Sequence, residues 1–214
     1  MKDTRKLFSS SAILFVGSIV ASIFSYLFNM LSGRLLGPKS YGELTALLSV
    51  LAIISVAGGA ILTVSMRYSS ELFAQDKPRA LKKLFLVLSK YTFIIAILIF
   101  AIFVAFCKPI ASYLSFSNLL PVIIAFASLI FGLAIMVNKG ILQGTQRFLA
   151  ISIVGALEMI LRLVLGIALI KLGLAVGGAM LAVISATAVC YFLTLAPISR
   201  VINQPAKNQT VEKP

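Results

Sequence analysis

The chain has 214 residues, of which 60% are hydrophobic and only 12% charged, and its mean hydropathy is +1.08. Soluble domains carry about 25% charged residues, so this composition excludes an ordinary soluble fold and points to an integral membrane protein. A formal charge of +13 comes with no histidine and two cysteines that lack metal-ligand spacing, which removes zinc sites and histidine acid–base chemistry. The basic residues fall in short segments between apolar runs, where they act as orientation signals and not as a nucleic-acid surface.

Lys2, Arg5 and Lys6 precede the first apolar run, 11–32, which is too long for a signal-peptide core and reads as a retained membrane helix. Gly17, Ala21, Ser25, Asn29 and Gly33 recur along it as a small or polar stripe, and Asn29 is placed to hydrogen-bond across a helix contact. Gly37-Pro38 and Gly42 mark a turn before the second run, 44–66, where Gly58-Gly59 predict close packing. The charged segment 67–83 follows, with Asp76 as a candidate cap and Pro78 as a first-turn residue of the next helix.

The third run, roughly 84–107, is bulky and has no small stripe, so it predicts a lipid-facing helix from which Lys90 snorkels to the interface. Residues 109–118 read as an interfacial connection, 119–138 as a fourth helix and 139–147 as a polar connection. The fifth run, 148–170, is long enough to cross the ~30 Å hydrocarbon core. It carries Glu158 and Arg162 four residues apart, on one helix face, acid before base. Charges at that depth face a packed interior or a wet cavity, so the pair reads either as a self-neutralising lock or as an anion-attracting patch with Glu158 as counter-ion. The sixth run, 174–196, has Gly178, Ala182 and Ala186 on one face, and Pro197 opens a polar tail to residue 214.

Lys and Arg in alternating connections number thirteen on one side and four on the other. The positive-inside rule then predicts six transmembrane helices in one bundle over 11–196, with tails 1–10 and 197–214 both cytoplasmic. Cys107 and Cys190 fall at different depths in that arrangement, about 24 Å of helix rise apart, so no disulfide is expected between them.

Three stretches, 34–50, Arg67-Tyr68 and 140–179, resemble the oligosaccharide flippases of polysaccharide biosynthesis, a family grouped with lipid II flippases and multidrug and toxin extrusion transporters. The resemblance covers nearly the whole chain to about residue 196, in order. Such proteins carry twelve or more helices in two bundles, so the chain looks like the N-terminal bundle. The resemblance implies a multi-pass cell-membrane protein that moves a lipid-linked oligosaccharide across the bilayer, while the lack of histidine and of paired carboxylates argues against an enzyme, and no cofactor or metal is expected. Its partners would be membrane lipids, that substrate, and a second copy or a separate six-helix half. Arg162 would bind the pyrophosphate, with Glu158, Asn29 and Arg67 completing the substrate-binding set. The alternatives are half of a multidrug-type exporter, and a non-transporting subunit or truncated remnant.

Overall fold

Hydrocarbon offers no partner to backbone N–H and C=O groups, so a chain this apolar must bond them internally, as helices do. The computed structural model is all-α and describes residues 2–107, 109 and 118–202, with side chains from residue 12 onward. The helices are α1 (Lys2–Ala74), α2 (Pro78–Ala105), α3 (Leu120–Gly144), α4 (Phe148–Leu169) and α5 (Ala175–Ile202), with a π-helical turn, Ile170–Leu174, between α4 and α5. Most of the segment expected at the membrane interface, 109–118, and the tail beyond 202 lie outside the described residues.

Four runs are long and apolar enough to cross a membrane: Ala12–Ala74, Pro78–Ala105, Leu120–Gly144 and Phe148–Ile202. The expectation of six separate helices is corrected on this point, because the first and last runs each continue through a site expected to end a helix. In α1 the interruption is one residue, Gly37, with φ 72° and ψ 172°. Pro38 follows it and has no N–H to give, so a new helix starts there without losing a bond. Between α4 and α5 the chain passes through Gly173 at φ 85° and Ala175 at φ 43°.

The neighbours of each half show what these interruptions do. Glu158 meets Thr187 near the middle of α4, while Leu169 at its end meets Gly178, so α4 and α5 run antiparallel. Pro121 lies near Gly177 and Asn138 bonds Thr194, so α3 runs parallel to α5 and antiparallel to α4. The first half of α1 follows α4, with Gly17 against Ser152 and Phe28 against Gly166. Its second half follows α3, with Gly58 against Leu133 and Gly140 against Ser65. The chain therefore folds back on itself at Gly37 and again at 173–175.

Packing also carries helices past the other expected stops. α3 runs through Lys139 to Gly144, where a connection was predicted, because Ile141 and Leu142 are fully buried beside Leu81 and Ile198. α5 runs through Pro197 to Ile202 because Ile198 and Val201 join the same cluster. Losing one helical hydrogen bond at a proline is offset by that burial. At the start of α2 the cap is Lys77 with no side-chain bond, so Asp76 is not the cap; it sits in the turn at φ 51°. α2 buries only Leu81, Thr92 and Ala96 and exposes Ile94, Ile95, Leu98 and Ile102, leaving an uncovered apolar surface of the kind expected of a lipid-facing helix. Lys90 is exposed on it.

The core lies where α1, α3, α4 and α5 meet. Phe28, Leu44, Leu47, Phe126 and Met180 are almost wholly buried there, and Phe103 of α2 stacks on Phe126 with ring centroids 4.2 Å apart.

Candidate functional site

Between the second half of α1 and helices α3, α4 and α5 lies a cavity of about 310 Å³. Its wall is mixed: Leu48, Leu129 and Met136 are apolar, whereas Ser55, Ser128, Thr187, Lys139, Glu158 and Arg162 are polar or charged. Two cations and one carboxylate leave the lining net cationic by one charge.

Glu158 and Arg162 both reach this wall, but they do not pair with each other as expected. The Lys139 ammonium Nζ lies 3.0 Å from Glu158 Oε2. The side chains keep 21% and 12% of their accessible surface, so the pair is largely desolvated. The Thr187 hydroxyl lies within hydrogen-bond reach of Glu158 Oε1 at 3.2 Å and of its own helix carbonyl at Val183 at 2.9 Å. This pairing has a geometric basis. A spacing of four residues puts two side chains on one face, yet a neighbouring helix can offer a better-aimed partner. Lys139 sits five residues before the end of α3, about 7.5 Å, and its four-carbon stem carries the charge further inward.

Arg162 instead lies over the face of Phe28, with the guanidinium carbon 4.6 Å from the ring centroid. That is cation–π distance, and desolvation strengthens the contact. Its Nε is buried without a hydrogen-bond partner. Gly166, one turn further along α4, is where Phe28 gets its room: a Cβ there would come within 2.6 Å of the ring. The absence of a side chain at Gly166 therefore lets the phenyl ring come close to α4 at the level where the Arg162 guanidinium covers it.

Of the other two residues assigned to the site, neither reaches it. Asn29 donates to the Ser25 carbonyl of its own helix at 2.9 Å, not across a helix contact, and does not line the cavity. Arg67 is exposed near the C-terminal end of α1, away from the wall. Lys139 and Thr187 were missed. Lys139 stands at an apparent helix end, and only Ile141-Leu142 after it hint that the apolar pattern goes on. Its neighbour Asn138 is wholly buried and donates to Thr194 Oγ1 at 2.7 Å, tying α3 to α5 and fixing the rotation that turns Lys139 toward Glu158.

Comparison with family models, curated proteins and solved structures finds no match to this chain.

Proposed function

We propose that the chain is a multi-pass transport protein of the cell membrane whose cavity takes the phosphoryl part of a lipid-linked oligosaccharide during its passage between leaflets. The observation that carries the reading is Arg162: a guanidinium in the wall of a cavity, among apolar helices, with a buried Nε that has no partner. A planar cation with free N–H groups in low dielectric is suited to phosphoryl oxygens, which it can take two at a time. The resemblance of 34–50, 67–68 and 140–179 to oligosaccharide flippases supports the same substrate class. Export of organic cations is disfavoured, because Glu158, the carboxylate in the wall, is already occupied by Lys139.

In this reading the fold-backs at Gly37 and at 173–175 lie at a membrane face, so the four runs make six crossings with both ends cytoplasmic. Length supports it: a straight helix over the 63 residues Ala12–Ala74 would measure ~95 Å, about three times the hydrocarbon core. The cavity then opens toward a partner bundle, either a second copy or a separate half.

Translocation of a lipid-linked oligosaccharide into proteoliposomes, normalised to folded protein, tests the proposal. Charge-assisted hydrogen bonds contribute about 1.5–3 kcal/mol, so Arg162→Ala should slow transport roughly 10- to 100-fold. Arg162→Lys should recover only part of the rate, since an ammonium loses the planar fork. The Lys139–Glu158 pair does not involve Arg162, so the alanine variant should still fold. Transport at the wild-type rate by Arg162→Ala would refute the assignment.

A further inference from the structure

Resting on the anion-binding reading of the cavity, we propose that Lys139 is a second phosphoryl-binding cation, masked by Glu158, whose carboxylate holds the place of a ligand oxygen until a phosphoryl group displaces it. Four features of the wall carry this. The contact between Lys139 Nζ and Glu158 Oε2 is 3.0 Å, close to the length an ammonium makes with a phosphoryl oxygen, so the carboxylate is a chemical stand-in for one. Arg162 lies one helical turn from Glu158, about 6 Å of rise, so a group that takes the carboxylate's position beside Lys139 can also reach the guanidinium. Thr187 touches the other carboxylate oxygen from α5 and can keep it when Lys139 is lost. The cavity volume of about 310 Å³ gives the lysine stem and the incoming group room to exchange.

Charge explains why the exchange is favourable for a phosphoryl ligand in particular. The charged groups around the carboxylate are Lys139 from α3 and Arg162 on its own helix, while α1 and α5 contribute Ser55, Thr187 and the Cys190 thiol to the neighbourhood. With Glu158 against Lys139, an entering anion meets a single unpaired cation. Once the carboxylate has moved aside, it meets two, which suits a pyrophosphate better than a monoanion. The same carboxylate then competes to regain Lys139, which keeps binding weak enough for release. A transport site needs both entry and exit, and an internal competitor lowers apparent affinity by the fraction of time it holds the site.

The test is calorimetric titration of inorganic pyrophosphate into the purified full chain in phosphatidylcholine nanodiscs. Glu158→Gln should tighten binding about tenfold or more, because an amide does not hold the ammonium. Lys139→Gln should weaken it. The decisive comparison is the double variant. If Glu158 acts by masking Lys139, Glu158→Gln brings no tightening in a Lys139→Gln background. Tightening that persists there would mean that Glu158 acts only through the general field of the cavity, and the proposal fails. Unchanged or weaker binding by Glu158→Gln alone overturns it as well. Should that variant not fold, Glu158→Asp serves: the shorter carboxylate reaches Lys139 less well and should tighten binding in the same direction by a smaller factor, with no change counting against the proposal. If wild type and variants all fail to bind pyrophosphate, the anion-binding reading itself is wrong. Wild-type binding without the predicted change would sink only the masking step.

Discussion

Arg162 and Glu158 were legible as residues and illegible as a pair. Ionisable side chains in the middle of an apolar helix stand out in any sequence, because their insertion cost is at least ~2.5 kcal/mol each. Which cation answers Glu158 depends on the rotation of a different helix, and that rotation is set by the buried Asn138–Thr194 bond, 56 residues apart in the chain. Nothing local encodes it. A second residue-scale feature is Ala175, exposed at the fold-back with φ 43° and ψ −128°, a conformation that carries a Cβ penalty. Ala175→Gly removes that penalty without removing a packed side chain. It should stabilise the protein by about 1 kcal/mol, measured as a raised unfolding midpoint in detergent. A lowered midpoint would show that the backbone there is not strained.

At the scale of elements, the apolar runs located the helices well, but their ends were misjudged wherever tertiary burial outweighed a local stop signal. Lys139-Gly140 looks like a connection in the sequence and is the interior of α3, because Gly140 is one of the points where α3 closely approaches α1. A Cβ at Gly140 would come within 2.6 Å of Ser65 Cβ and 2.7 Å of the Leu62 carbonyl oxygen, a backbone atom with nowhere to go. Gly155, on α4, has open space in the corresponding direction. Sequence alone does not separate these two cases, since a glycine that permits contact and one that faces nothing look alike. They should part in experiment. Gly140→Ala should force α1 and α3 apart and lower the yield of folded protein, with a loss on the order of 1–3 kcal/mol from overpacking. Gly155→Ala should be neutral or slightly stabilising, by up to about 1 kcal/mol of helix propensity. Size-exclusion profiles and thermal midpoints of the two variants in the same detergent read this directly, and equal behaviour would mean that the α1–α3 contact is not close-packed.

At the scale of the whole molecule, the two fold-backs and the distribution of charge make one joint prediction about the bilayer. Gly37 and the 173–175 turn lie at the ends of parallel halves: the first half of α1 runs beside α4, so the two turns they lead into fall at the same end of the bundle. Arg34, Lys39 and Lys171 lie beside those turns. The turn from α1 to α2, with Lys77 in it and Arg79, Lys82 and Lys83 at the start of α2, and the turn from α3 to α4, with Arg147, fall at the opposite end. The positive-inside rule predicts that the richer basic end is cytoplasmic. The helix directions place Lys39 and Lys171 at one end of the bundle, where the alternation of connections in the sequence also puts them. Single cysteines at positions 39, 77 and 171, placed in a chain with Cys107 and Cys190 replaced, would be exposed to an impermeant thiol reagent in intact cells. Positions 39 and 171 should label from outside, and 77 only after the cells are opened. Labelling at 77 in sealed cells together with protection of 39 and 171 would invert the orientation and leave the fold untouched. Labelling of 39 and 171 on opposite sides would mean that one of the long helices does not turn back across the membrane, and the six-crossing arrangement would fall with it.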